Sequence, residues 1–237
     1  MKKDLILLCV ILGLSGCRWG SDGGGSFTGD GNIQQEERSI GLFHAIEVDN
    51  IGTVIFTQGQ HYTVRIEAEA SIVPHVITKV HNDTLHICME GTVTKALPIF
   101  YYVTAPQLKE IELSGTAAFQ AEQLRADKLE IDMTGASHVS AHLDVASLDV
   151  EASGSSHFYL EGSALHQKFN LAGAAQGQAA QLAGDKVSVE TSGAASLTVN
   201  VAQQLHAVVS GASYVGYKGE PRLTIRQSGT ASINSIQ

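Results

Sequence analysis

Three acidic residues recur at nearly constant spacing in the second half of the chain. They are Glu112, Asp132 and Glu151. If they stack one above another in successive strands, their carboxylates lie about 4.8 Å apart. Like charges so placed repel each other, and a Ca²⁺ ion, which takes several oxygen ligands, would relieve that repulsion. We expect a solvated acidic face instead of this cation ladder, because no Asp- and Gly-rich calcium loop accompanies the three residues.

A second series of polar and aromatic residues has the same spacing. His138 and His157 would be stacked neighbours, but Zn²⁺ usually takes three or four protein ligands and no third is evident. Histidine and tyrosine side chains could instead form a shallow ligand face, on which aromatic rings pack against sugar rings. The candidates for this face are His138, His157, Tyr159, Tyr214 and Tyr217. We expect no metal ion and no cofactor.

The sequence contains little that indicates catalysis. Glycosidases place two carboxylates in a groove, and lyases need a basic side chain beside bound Ca²⁺. Lys and Arg are rare in the repeats, and none recurs beside the acidic series. The sequence has no Gly-x-Ser-x-Gly, His-Glu-x-x-His or phosphate-loop motif. We assign no catalytic residue and expect a protein that is not an enzyme, with a carbohydrate-active β-helix enzyme as the remote alternative.

The chain begins with a secretion signal of the lipoprotein type. Lys2 and Lys3 precede a ten-residue apolar run, which is shorter than the roughly 20 residues that span a bilayer. The Leu-Ser-Gly-Cys tetrad ending at Cys17 resembles the bacterial lipobox, which implies removal of residues 1–16 and acylation of Cys17. Several acyl chains, including a palmitate-type chain, make a stable anchor. Arg18, in place of an Asp that would favour the inner membrane, indicates the outer membrane.

Composition restricts the remaining possibilities. The 237 residues have a net charge of −9 and contain no cluster of Lys and Arg, which argues against binding to nucleic acid. Val, Ile, Thr, Ser and Gly dominate the body of the chain, and this favours an all-β protein. Residues 17–40 are rich in Gly and Ser in their first part, so we predict the lipidated cysteine and a flexible tether there.

Residues 41–106 show the alternation of apolar and polar residues that is typical of strands. Val54 and Phe56 fall on one face of such a run. The segments 58–60 and 81–83 lie between runs, so we predict a hairpin turn at each. This part of the chain is therefore expected to be a hairpin-rich β half.

A small residue followed by glycine recurs seven times over residues 107–237, at spacings of 18 to 20 residues. The glycines are Gly115, Gly135, Gly154, Gly173, Gly193, Gly211 and Gly229. Apolar residues recur on both sides of each glycine, which predicts a strand, a tight corner and a second strand. Such a unit cannot bury a face alone, whereas stacked copies can. We predict an all-β fold, a β-solenoid that is right-handed and β-helix-like, with about seven coils.

Several short segments carry a resemblance to a known family. They are Phe43-x-x-Ile46-x-Val48, Val54-x-Phe56-x-Gln58-Gly59, Leu85-x-Ile87, Val103-x-Ala105-Pro106-x-Leu108 and Ile111-x-Leu113-Ser114-Gly115. With the serial Ser-Gly repeats, they resemble the putative auto-transporter adhesin, head GIN domain family. The resemblance covers residues 41–237 and implies a single β-helix-like domain on a cell-surface or periplasmic lipoprotein. It implies no catalytic residues.

We therefore expect a lipid-anchored protein of the cell envelope with an adhesin-like or scaffolding role. Its partners would be the membrane, through the anchor, and a glycan or surface-protein ligand. The alternative is a periplasmic structural or sensor module that forms homo-oligomers. An uncapped C-terminal coil, Leu223 to Ile233, would then supply the contact between copies.

Overall fold

The computed structural model of the protein describes residues 25–236. In this range the chain is all-β, apart from one 3-10 turn at Val73–His75, and it has no helix that could cross a membrane. In chain order the strands are β1 Ser26–Thr28, β2 Ile33–Arg38, β3 Ala45–Val48, β4 Thr53–Gln58, β5 Thr63–Glu69, β6 Val76–His81, β7 Thr84–Met89, β8 Thr92–Lys95, β9 Phe100–Ala105, β10 Glu110–Leu113, β11 Ala118–Met133, β12 His138–Ala152, β13 His157–Leu171, β14 Gln176–Thr191, β15 Ser196–Val209, β16 Tyr214–Lys218, β17 Arg222–Gln227 and β18 Ser232–Ser235.

The repeat region forms the predicted β-solenoid of about seven coils. The long strands β11 to β15 each run from one corner to the next and pair in parallel with their neighbours. Residues one repeat apart are direct partners, so Ile131 lies between Ile111 and Val150. All three of these side chains are buried. The apolar columns of the sequence are therefore continuous columns of the core.

The corners are held together by a ladder of backbone hydrogen bonds. All seven corner glycines have φ between 68° and 79°, a region that side-chain-bearing residues rarely adopt. The residue after each glycine donates its N–H to the corner carbonyl of the preceding coil, at 2.7 to 2.8 Å. A Cβ on Gly154 would lie 2.5 Å from the carbonyl oxygen of Gly135. Glycine is therefore required both by the dihedral angle and by the close stacking.

The N-terminal half adds two further rungs, and their order in space differs from their order in sequence. Strand β3 lies between β10 and β7, and β4 lies between β11 and β9, all in parallel. Asn50, with φ of 80°, occupies the corner between β3 and β4. Its carbonyl accepts a 2.7 Å hydrogen bond from the N–H of Thr116, so it takes the place of a corner glycine. Asn tolerates this left-handed conformation better than most residues.

One of the two predicted hairpins is correct and the other is wrong. Strands β6 and β7 pair in antiparallel fashion around the predicted turn at 81–83, where Asn82 and Asp83 both have positive φ. The segment 58–60 does not form a hairpin, because β4 and β5 do not pair with each other. Strand β9 pairs with both of them, parallel to β4 and antiparallel to β5.

The predicted tether over residues 17–40 is wrong in its second part. Strand β1 pairs with β8, and β2 pairs in antiparallel fashion with β5. The buried carboxylate of Glu69 secures this region, because it accepts hydrogen bonds from the N–H groups of Gly31 at 2.5 Å and Leu97 at 2.7 Å. The predicted signal peptide over 1–16 and the predicted lipidated residue, Cys17, lie outside the described residues.

The two ends of the solenoid differ. At one end, β6, β5 and β2 are antiparallel additions that cover the terminal rung. At the other end, β17 and β18 complete the last coil and no described strand pairs beyond them. Leu223 and Ile225 continue columns that are buried in earlier coils, yet they are 41% and 39% exposed. The C-terminal end of the described chain is thus open, as the sequence predicted for this coil.

The corner ladder yields a stability prediction. Replacing Gly154 with Ala forces a Cβ into both a positive φ and the carbonyl of the coil below, so we expect the free energy of unfolding to fall by about 2 kcal/mol or more. Urea unfolding of the purified protein measures the change. Ser155→Ala is the matched control, because Ser155 is exposed and keeps its backbone N–H bond. Equal stability of Gly154→Ala and Ser155→Ala would contradict the role of the corner.

The buried Glu69 yields a second prediction. Glu69→Ala leaves the N–H groups of Gly31 and Leu97 without their acceptor. We therefore expect the free energy of unfolding to fall by about 2 kcal/mol. Hydrogen exchange should show faster exchange confined to β1, β2 and β8. Glu37→Ala, at an exposed site on β2, should leave exchange unchanged. Uniform loss of protection over all coils would instead indicate global unfolding and would contradict a local role.

Candidate functional site

The acidic series forms a ladder in register, as its spacing predicts. Glu112 pairs with Asp132, and Asp132 pairs with Glu151. Beyond Glu151 the column continues with Asn170, whose Nδ2 donates to Glu151 Oε1 at 3.2 Å. An amide therefore ends the run of consecutive carboxylates on this side.

The structure extends the ladder in the other direction. Glu47 on β3 pairs with Glu112, and His86 on β7 pairs with Glu47. The His86 Nδ1 and Glu47 Oε2 atoms are 2.6 Å apart. Four carboxylates therefore lie in one column, capped by a histidine. Sequence spacing could not identify this extension, because β3 and β7 lie outside the repeat and enter the stack out of order.

Partial burial and stacking together raise the pKa values of two ladder carboxyls, those of Glu112 and Asp132. Partial burial is the first cause for both Glu112 and Asp132, and repulsion from neighbouring carboxylates adds to it. The pKa of Asp132 rises to about 6, with Glu151 as the strongest charged neighbour. No group of three or more His, Cys, Asp or Glu side chains within residues 25–236 is arranged to hold a metal ion. We therefore base no cation site on the ladder.

The predicted histidine pair also stacks, since His138 and His157 are register partners. Partial burial, followed by the proximity of His157, lowers the pKa of His138. Ala118 and Gln176 flank the pair in the same column. The pair thus lies on an outward face without a third histidine beside it in this column.

The three predicted tyrosines do not share one site. Tyr159 lies two residues beyond His157 on the same outward face and is 38% exposed. Tyr214 is in the His157 column but three strands further along, about 14 Å away. Tyr217 does not belong to this face. It pairs with the fully buried Val199 and packs against the core, because it occupies an inward position of its strand.

An open groove lies beside Tyr159, with a volume of about 1060 Å³. It crosses β4, β11, β12 and β13, where Ile55, Gln120, Ser140 and Tyr159 are successive register partners. Three strand spacings give this row a length of about 14 Å. The row is followed by a second one, which contains the partners His142 and Glu161.

A bulge shapes the groove. Between two pairs of register partners, β11 has two residues, Glu122 and Gln123, whereas β12 has only His142. Such bulges bend a strand and redirect its side chains, and they often occur beside binding sites. Here the side chains of both bulge residues are exposed and line the groove. No atom of the described residues hydrogen-bonds to the side chain of either one, so both are available to a ligand.

Other polar groups in the groove are fixed in place. The Gln58 amide donates from Nε2 to the Arg125 carbonyl at 3.0 Å and accepts from the Arg125 N–H at 3.0 Å. Glu161 accepts a 3.2 Å hydrogen bond from the Tyr159 hydroxyl, and its other oxygen lies 3.3 Å from His142 Nδ1. The bond to Glu161 raises the pKa of Tyr159. These contacts give Gln58, Tyr159 and Glu161 defined partners on both sides of the groove.

A family model matches most of this chain. The family model of the putative auto-transporter adhesin, head GIN domain, matches residues 42–221. The chain belongs to this family. The match covers both the β half and most of the repeat coils, including every residue of the groove. No curated protein matches this head GIN chain.

Solved structures share the head GIN fold. A putative adhesin from Bacteroides fragilis has a TM-score of 0.85 at 22% identity, covering 89% of this chain and all of its own. A putative adhesin from Parabacteroides merdae has a TM-score of 0.73 at 19% identity, over 90% of this chain and 99% of its own. A putative lipid binding protein from Parabacteroides distasonis has a TM-score of 0.73 at 17% identity, over 90% and 100%. At these identities the likeness establishes the fold alone.

The raised pKa of Asp132 predicts how stability depends on pH. The native protein holds this proton more tightly than the unfolded chain, so stability falls as the pH rises from about 3.8 to about 6. Asp132→Asn should reduce this fall and be more stable than the wild type at pH 7, with little difference at pH 4. Urea unfolding across this range measures the effect, with Asp127→Asn at an exposed site as control. An unchanged pH profile for Asp132→Asn would contradict the raised pKa of Asp132.

Proposed function

We propose that this head GIN protein is a lipid-anchored binding module of the cell envelope, with an adhesin-like, non-catalytic role. The lipobox-like tetrad ending at Cys17 supports the anchor. The family supports a role in contacts at the cell surface or envelope. The observation that carries the proposal is the outward groove, in which the exposed side chains of Gln120, Glu122 and Gln123 form no hydrogen bond with the described residues.

The distance between the anchor and the body is short. Because β1 begins at Ser26, residues 18–25 are the connection to Cys17, and eight residues reach at most about 30 Å when fully extended. The body would therefore stay close to the lipid surface. This suits a module that binds a partner lying at or near the membrane.

A second candidate is a structural module that acts by self-association. The open C-terminal coil supports it, since Leu223 and Ile225 are exposed where earlier coils bury the same columns. A carbohydrate-active enzyme remains a third and more distant candidate. Such an enzyme would release new reducing or unsaturated ends from polysaccharides during incubation, and we expect no such release.

The anchor and the orientation can be tested together. We expect Cys17→Ser to move the protein from the membrane fraction to the soluble fraction, because the acyl chains that supply membrane affinity are lost. Mass spectrometry of the wild-type N-terminal peptide should show an acylated Cys17. Ser15→Thr, beside the cleavage point, should remain in the membrane fraction.

Protease shaving of intact cells then locates the body. We expect digestion of the body while a periplasmic control protein stays intact. Protection of both proteins would contradict surface binding and would favour the self-association role in the periplasm. An unacylated Cys17 in the wild-type N-terminal peptide would contradict the anchor.

A further inference from the structure

We propose that the groove beside Tyr159 binds an uncharged saccharide chain. This inference rests on the proposed binding function and names the chemical class of its ligand.

The shape suits an extended chain better than a compact molecule. The groove is open along its length, and the row from Ile55 to Tyr159 follows the solenoid axis for about 14 Å. Successive strands therefore present similar positions at equal intervals. A polymer of sugar rings also presents similar groups at regular intervals, so one strand after another can contact one ring after another.

The side chains suit sugar chemistry. Tyr159 is an exposed aromatic ring held by its hydroxyl bond to Glu161, and an aromatic face packs well on the C–H groups of a sugar ring. Gln120 and Gln123 supply planar amides, each with both donors and acceptors, which match pairs of neighbouring hydroxyl groups. No described residue hydrogen-bonds to either amide side chain. An exposed aromatic ring therefore lies beside amide side chains that form no hydrogen bond with the described residues. Binding sites for small polar ligands combine apolar and polar groups in this way.

The charge of the groove selects against acidic sugars. Glu122 and Glu161 line it, and the one guanidinium there, that of Arg125, lies 3.5 Å from the carboxylate of Asp144. The chain as a whole has a net charge of −9. Uronate or sulfate groups would therefore meet an excess of negative charge, which disfavours their binding. Neutral and N-acetylated sugars meet no such penalty.

The test is calorimetric titration of the full chain, purified in detergent, with defined hexasaccharides. The neutral probes are maltohexaose, cellohexaose and chitohexaose, and the acidic probes are oligogalacturonate and a heparin hexasaccharide. We expect at least one neutral probe to bind and the acidic probes to bind more weakly or not at all. Tyr159→Ala should weaken the binding by about tenfold, and Gln120→Ala should weaken it measurably.

Tyr214→Ala is the matched control, because Tyr214 is a tyrosine on the same outward face but outside the groove. It should bind the neutral probe as the wild type does. Tyr159 and Gln120 are both exposed, so circular dichroism should show that all three variants remain folded.

Failure to bind any neutral probe overturns the proposal, as does tighter binding of the acidic probes. Equal weakening by Tyr159→Ala and Tyr214→Ala overturns the placement of the ligand in the groove. None of these results bears on the membrane anchor or on protease accessibility, so the proposed envelope role succeeds or fails on separate measurements.

Discussion

The hydrogen bond between successive corners is the interaction on which the rest of the structure depends. Each corner offers a carbonyl to the coil above, and that coil can approach only because a glycine such as Gly135 has no side chain in the way. This contact fixes where every coil begins. Once the starting point is fixed, strand pairing places residues above their counterparts up to the bulges, and the columns of the core and of the surface beside each corner follow from it.

The repeat coils could be predicted from sequence because their pattern is local and regular. The N-terminal half could not be predicted in the same way. The chain leaves the stack after β4, builds the cap, and returns through β7 and β9 before β10 resumes the sequence order. Alternation of apolar residues identifies such strands but not their partners. The sequence does not predict Asn50 at a corner for a related reason, because the repeat pattern is defined by its glycines.

The sequence likewise predicts one of the two candidate surfaces, the acidic ladder, but not the groove. The stacking of Glu112, Asp132 and Glu151 follows from constant spacing and is therefore visible in the sequence. The groove arises where spacing is not constant, at the bulge in β11 that holds Glu122 and Gln123. Extra residues of this kind appear in the sequence only as a change of one in the repeat length. An irregularity in the stack thus adds exposed side chains to the groove.

The unequal ends of the solenoid have a consequence for how such a protein can change its size. A coil requires only the corner and the strand edges of the coil before it, and the last coil, ending at Ser235, offers both. Duplication of one 18- to 20-residue unit near that end would lengthen the body by about 4.8 Å without disturbing the cap or the groove. The length of the body is therefore adjustable in fixed steps, independently of the groove beside Tyr159.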